Sequence, residues 1–247
     1  MTCSSILIHM NRKKRIGLIS GGMSPEHDVS VKSCQRILDH LDLNLYEPIL
    51  IHIDREGAWH CHGKPVPNLV ALLSDVDIAF PVLHGPCGED GAIQGMLRML
   101  NVPFVGDDVL PHAICMDKDV TKRLLSHAGL PCPRFHTISG RDSLNDLEVT
   151  YPCFVKPANM GSSIGISKVY SQGELEGAVE KALEYDKKVL IEEYIEGDEV
   201  ECALLGGDPP RVSSPARLTP THDFYSFEAK CHYPHGAESE VVAPYSE

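Results

Sequence analysis

The sequence predicts an α/β protein: a doubly wound parallel sheet in its N-terminal part, followed by a smaller α+β unit built around a glycine-rich hairpin. Three observations predict it. Short apolar runs alternate with stretches of helical hydrophobic period through the first hundred or so residues, the pattern of parallel strands joined by crossover helices. Strands run into glycine at Gly21-Gly22 and at His84-Gly85, and open parallel sheets collect ligands beyond the C-terminal ends of their strands. The second half carries Phe154-Val155-Lys156-Pro157-Ala158-Asn159-Met160-Gly161-Ser162-Ser163-Ile164-Gly165-Ile166, which reads as strand, lysine, glycine- and hydroxyl-rich turn, and strand again.

The elements follow in order. Arg15 to Ser20 is an apolar strand and Gly21-Gly22 a tight turn. Ser24-Pro25-Glu26 reads as the cap and first residues of a helix that continues through Val29, Val31, Cys34, Ile37, Leu38 and Leu41. Tyr46 to Asp54 and Asp77 to Leu83 are strands, Ala92 to Leu100 a helix, and Val102 to Gly106 a further strand. A second unit begins near Leu110, with a helix over Asp117–Ala128 closed by Gly129 and Pro131, then a strand at Phe135–Ile138. After the hairpin come a Glu/Ala-rich helix from Ser171 to Tyr185 and strands over Val189–Ile195 and Glu199–Leu205. The expected domains are therefore 15–109, 110–190 and 191–247, with 1–14 a disordered extension.

Composition excludes several classes. With 35 acidic against 22 basic residues the net charge is −13, which argues against nucleic-acid binding and against anionic membranes. The apolar run Ile6-Leu7-Ile8 is too short to span a bilayer, and the basic cluster Arg12-Lys13-Lys14-Arg15 follows it, the reverse of a signal peptide. Nine cysteines without a C-x-x-C pair suit a reducing cytoplasm. His60-Cys61-His62 and Cys231-His232 with His235 lack zinc-site spacing.

Glycines let backbone N–H groups approach an anion and serine hydroxyls add donors, so the hairpin reads as a phosphate-handling loop with Lys156 as its point charge. It is not a P-loop, because no G-x-x-x-x-G-K-[ST] occurs. An ordinary hairpin with a flexible turn is the alternative.

Taken together, the motifs resemble the ATP-grasp ligases, and among them the D-alanine–D-alanine ligase family. They run in family order: Gly21-Gly22-Met23-Ser24-Pro25-Glu26-His27-Asp28-Val29-Ser30, then Leu83-His84-Gly85-Pro86-Cys87-Gly88-Glu89-Asp90-Gly91 with Gln94-Gly95-Met96-Leu97, Met116-Asp117-Lys118, the hairpin, Ile191-Glu192-Glu193-Tyr194, and Phe224-Tyr225 with Glu228-Ala229-Lys230. The resemblance implies an ATP-grasp region, incomplete in this chain, after the parallel sheet. It implies ATP-dependent joining of two D-alanines through an acylphosphate, for peptidoglycan synthesis, with Mg²⁺ or Mn²⁺ and, commonly, a homodimer.

The same resemblance assigns residues. Glu26 would bind the ammonium of the first D-alanine, with helix-dipole complementarity as its structural alternative, and His84 would contact the same substrate. Lys118 and Lys156 would grip the ATP phosphates. Ser162 and Ser163 would cover them, Ser162 also joining a network with Glu26. Glu192, Tyr194 and Ile195 would form the adenine hinge, sharing a cleft with Lys156, and Glu199 would take the ribose hydroxyls. Otherwise Glu192, Glu199 and Glu201 are a solvent-facing alternation. Lys230 would close over the phosphates. The family commonly has tyrosine after that lysine, and this chain has Cys231, with Tyr233 nearest. That departure keeps a D-Ala–D-lactate or other D-Ala–X ligase open. The chain stops at Pro244-Tyr245-Ser246-Glu247 without a closing element and reads as a fragment. By resemblance the metal ligands and a catalytic arginine lie beyond it. The fragment is expected to bind nucleotide weakly and catalyse little, and a non-catalytic nucleotide-binding paralogue is the third reading.

Overall fold

The computed structural model describes residues 12–140, 144, 147–220, 227 and 237–241. The chain divides into two compact units, Met1–Leu124 and Leu125–Glu247.

The first unit holds β1 (Lys14–Gly21), α1 (His27–His40), β2 (Tyr46–Ile53), β3 (Trp59–Cys61), β4 (Lys64–Pro65), α2 (Leu69–Ser74), β5 (Ile78–Pro81), α3 (Ala92–Met99) and α4 (Val109–Met116), and α5 (Lys118–His127) spans the boundary. Its sheet has the order β4-β3-β2-β1-β5. β1 pairs parallel with β2 and β5, whereas β3 and β4 form an antiparallel edge. Successive strand residues face opposite sides of a sheet. Here Ile16 and Leu18 enter a core with Cys34, Val82 and the α1 residues Ile37 and Leu38. Ile19 enters the other core, with Ile51, Leu73, Ile93 and Leu97. Both faces of β1 are thus buried, which is why its sequence is a near-continuous apolar run rather than an alternation.

Several boundaries differ from the sequence reading. Ser24 O accepts from His27 N, so Ser24-Pro25 is a turn and α1 starts at His27 with Glu26 as its cap. Residues 102–106 give only an isolated parallel bridge, Ala79 with Phe104, since Pro103 has no N–H to extend a ladder. The helix at 109–116 belongs to the first unit: Arg98 on α3 pairs with Asp108, whose Oδ1 accepts from Val109 N at 2.7 Å. Of the segment read as disordered, residues 1–11 lie outside the described residues. Arg12, however, bonds Asp77 at 2.6 Å, and Lys14 opens β1 by donating its N–H to Leu45 O.

The second unit contains β6 (Phe135–Ser139), β7 (Cys153–Pro157), β8 (Ser167–Val169), α6 (Gln172–Leu183) and β9 (Lys188–Glu193). These strands make an antiparallel sheet of order β6-β9-β7-β8. Helix α6 places Leu175, Ala178, Val179 and Ala182 against Ile138, Cys153, Val155, Val169, Val189 and Ile191. By strand alternation the opposite face carries Thr137, Phe154, Lys156, Lys168, Leu190 and Glu192. Beyond it lie β10 (Glu199–Glu201), β11 (Leu204–Leu205), β12 (Arg211–Val212), β13 (Ala216–Pro220) and β14 (Ala237–Val241). The single strand expected over 199–205 is split because β10 pairs with β13 and β11 with β12.

Candidate functional site

In the first unit a pocket opens beyond the parallel strand ends, lined by Gly21, Gly22, Ser24, Trp59, His84 and Cys87 among others. Its floor is fixed by backbone bonds. Gly22 N donates to Ile53 O at 2.8 Å, and a Cβ on Gly21 would lie 2.1 Å from that same oxygen. The Ser30 hydroxyl, fully buried, accepts from Gly21 N at 2.8 Å and donates to Val82 O at 2.7 Å, tying the ends of β1 and β5 together.

Glu26 is only 3 % exposed. As the cap of α1 its carboxylate stands where the helix dipole favours negative charge. Glu26 N donates to Ser24 Oγ at 3.1 Å. The His84-Gly85 step comes directly against this pair: a Cβ on Gly85 would lie 2.6 Å from Glu26 Oε2 and 2.7 Å from Ser24 Oγ, and Gly85 has φ +72. Only glycine brings backbone this close in this conformation. Glu89 Oε2 accepts from Gly85 N at 2.8 Å, and its other oxygen stands 3.9 Å from His84 Nδ1. Asp90 accepts from Cys87 N and Ala92 N. Both acids thus shape the loop. His84 Nε2 is buried with no hydrogen-bond partner among the described residues. His84 lines the pocket, and Glu26, which is not among the lining residues, packs behind it against Gly85.

Beneath the pocket lies a row of imidazoles that the sequence reading missed. His27 Nδ1 is 2.7 Å from Gly22 O, His52 meets His27 edge-on with centroids 5.2 Å apart, and His60 Nε2 is 3.0 Å from Asp54 Oδ2. Burial, then the neighbouring His27 and His60, hold His52 below the usual histidine range, against the opposing pull of Asp54. No short-range motif marks this row, because the three rings come from α1, β2 and β3.

Lys118 is the first residue of α5, half-buried, behind Asp117, whose Oδ1 accepts from Asp119 N and Val120 N.

In the second unit the sheet face away from α6 gathers most of the remaining candidates. Lys156 Nζ donates to Glu192 Oε1 at 2.6 Å, and the side chains are 17 % and 8 % exposed. Glu192 is thus buried and paired, whereas Glu199 and Glu201 are exposed. Glu199 and Glu201 face solvent and Glu192 does not. Lys156 Nζ lies 5.4 Å from the Phe154 ring, and Phe154 lies 6.0 Å from the ring of Tyr194, so lysine and hinge share one surface. Lys168, which the sequence reading passed over, sits 4.3 Å above the Tyr194 ring. The signal for it was available: Lys168 stands opposite Phe154 in the hairpin register. Ile195 is 59 % exposed just beyond β9. Glu193 turns away to Arg134, whose backbone N–H and then guanidinium hold its carboxyl below the usual range.

The hairpin turn is more constrained than a flexible glycine loop. Ser162 and Ser163 have φ +47 and +61, and Ile164 N donates to Gly161 O, the signature of a type I′ turn. Serine rarely adopts this conformation and it costs of order 1–3 kcal/mol. Strain of this kind clusters at ligand clamps. At Gly165, φ +70, a Cβ would meet Tyr185 at 2.7 Å and Pro157 at 2.8 Å. Lys230 lies outside the described residues, as do Cys231 and Tyr233. Among the described residues no group of three or more His, Cys, Asp or Glu could hold a metal ion, and no helix is long and apolar enough to cross a membrane.

Comparison with known proteins matches both parts of the chain. Residues 15–70 and 66–107 match the family described as D-ala D-ala ligase N-terminus, and 124–247 match D-ala D-ala ligase C-terminus. The D-alanine–D-alanine ligase A of Escherichia coli (strain K12) is 41% identical over 271 residues, covering 94% of this chain and 74% of that protein. Among solved structures, the VanG D-Ala:D-Ser ligase from Enterococcus faecalis superposes with TM-score 0.78 at 33% identity, covering 93% of this chain and 76% of its own. The D-alanine–D-alanine ligase from Bacillus anthracis complexed with ATP gives 0.74 at 30% identity, covering 93% and 71%. With both parts matched and more than two thirds of its relatives' length spanned, this chain belongs to the D-alanine–D-alanine ligase family.

Proposed function

We propose that the protein is an ATP-dependent ligase that joins two D-alanines into D-alanyl-D-alanine for peptidoglycan synthesis, in the cytoplasm and as a homodimer. The reaction takes two displacements. A D-alanine carboxylate oxygen attacks the γ-phosphorus of ATP and expels ADP. The amine of the second D-alanine then attacks the acyl carbon, expels phosphate and gives up a proton. An acylphosphate hydrolyses readily, so the chemistry demands held reactants and little water.

The observation that carries this reading is the Lys156 face of the second unit. A buried lysine–carboxylate pair, an aromatic surface at Phe154 and Tyr194, and a strained serine turn on the connecting hairpin suit a purine polyphosphate. In this reading Lys156 and Lys118 neutralise phosphate charge, Ser162 and Ser163 donate to phosphate oxygens, Glu192, Tyr194 and Ile195 hold the base, and Glu199 takes the ribose. Lys230 closes over the phosphates. In the first unit Glu26 takes the ammonium of the first D-alanine and His84 contacts its carboxylate. This reading implies Mg²⁺ or Mn²⁺ bound with the ATP, where it would neutralise phosphate charge. The described residues offer no cluster that would hold one, and no step above is routed through it.

The test measures ADP and dipeptide formation with ATP, a divalent cation and D-alanine, with D-serine and D-lactate as rival acceptors. D-alanine-dependent ADP release with D-alanyl-D-alanine as product is expected, at a low rate. ATP turnover indifferent to D-alanine, or preference for another acceptor, overturns the assignment.

A further inference from the structure

We propose that Gln94 is a positioning residue for the amino-acid pocket: through Gly88 it anchors the loop that sets His84 and Gly85 against Glu26. The inference rests on the ligase reading above and deepens it at the first unit's pocket.

Gln94 is the third residue of α3, a place where glutamine is ordinarily solvated, yet it is 3 % exposed. Its Nε2 donates to Gly88 O at 2.8 Å. Its Oε1 is buried without a hydrogen-bond partner among the described residues. A buried amide with one half unsatisfied is costly. Keeping it makes sense where the other half has work that an apolar side chain could not do.

That work is legible in the loop. Gly88 is wedged so closely that a Cβ would lie 2.5 Å from Leu83 Cβ, and Gly88 N donates to Gly85 O at 3.1 Å. Gly85 in turn leaves no room for a methyl group beside Glu26 Oε2 and Ser24 Oγ. A continuous path of short contacts runs from the Gln94 amide through Gly88 to Gly85 and Glu26. The cap of α3 is Gly91, which has no side chain to tether the loop in its place. Glu89 and Asp90 hold the loop by its Gly85 and Cys87 N–H groups, and Gln94 holds it by a carbonyl, so releasing the Gly88 carbonyl loosens the stretch between them and with it the spacing of His84 and Glu26.

The test uses three proteins: wild type, Gln94→Leu and Gln94→Glu. At pH 8 the carboxylate introduced by Gln94→Glu faces the Gly88 carbonyl and cannot donate. Burial raises a carboxyl's pKa, so on mild acidification it becomes an O–H donor to the same oxygen. Relative to wild type, both variants are expected to raise KM for D-alanine roughly tenfold at pH 8, with kcat and ATP affinity within about twofold. Only Gln94→Glu recovers as pH falls towards 6. In labelled, ligand-free protein the His84 imidazole resonances should shift in Gln94→Glu at pH 8 and return on acidification. Equal KM effects in both variants at every pH indicate packing alone and overturn the proposal, as does a His84 signal that never moves. If wild type forms no D-alanine-dependent product, the ligase reading fails, and the His84 resonances then decide the role of Gln94 by themselves.

Discussion

The pocket of the first unit and the Lys156 face of the second recognise by different physics. The first is shaped by lack of space: Gly21, Gly85 and Gly88 each sit where a Cβ would clash with backbone or with a binding side chain. Behind it, against Gly85, stands one buried carboxylate at a helix start. The second is shaped by charge held in reserve, a lysine already paired with a buried glutamate and a second lysine laid over tyrosine. A small zwitterion offers few contacts, so its site must fix distances. A polyanion offers many, so its site must supply cations without letting them collapse irreversibly onto each other. The lesson is that rigidity and counter-charge are alternative ways of preorganising a site.

The largest effect should come from the charged face. Lys156→Met strands Glu192 without its lysine, and breaking a buried ion pair by removing one partner costs about 3–5 kcal/mol. Lys156→Met with Glu192→Leu should regain most of that in denaturant unfolding, while ATP binding by calorimetry stays lost in both. Retained ATP affinity in the single variant would break the contrast.

Next in size is the crowded pocket. Gly85→Ala adds a methyl group 2.6 Å from Glu26 Oε2 at φ +72 and should cost about 1–3 kcal/mol, weaken D-alanine and leave ATP affinity unchanged. Gly22→Ala is the control. Its φ is +97, but the nearest atom to its Cβ is Leu83 Cδ2 at 3.6 Å, so it reports backbone strain without the clash.

The smallest effect separates the units by pH. His52 is held below the ordinary histidine value of about 6.5. Between its folded value and 6.5 the unfolded chain binds more protons, so this contribution is complete above about pH 6.5 and is lost as pH falls. Glu193 is lowered by Arg134, so its contribution is present above the ordinary carboxylate value of about 4.3 and lost only on stronger acidification. Hydrogen exchange resolved by peptide should show the first unit loosening at mild acidity before the second. His52→Gln should flatten the first slope.

How far the sequence revealed this depended on the range of the interaction. Local signals were dependable: alternating elements, the glycine turns, and Lys156 leading into the hairpin. Signals that need a partner strand were not. Alternation puts Glu192 on a face but cannot say that the face is covered or that Lys156 stands across from it, and a solvated carboxylate was the alternative reading. The turn was placed correctly, yet its left-handed residues are Ser162 and Ser163 as well as Gly165, because the hairpin geometry and not residue preference dictates φ there. Strands over 102–106 and 199–205 failed for the same reason, as a strand exists only where a neighbour pairs with it. The row of His27, His52 and His60 had no linear signature at all.

Trp59, which lines the pocket of the first unit, is the single tryptophan in the chain. Nature has therefore placed one red-shifted fluorophore in the first unit and none in the second. Excited at wavelengths where tyrosine is silent, its emission reports on the surroundings of that pocket, so ligands can be titrated against the first unit with no added label.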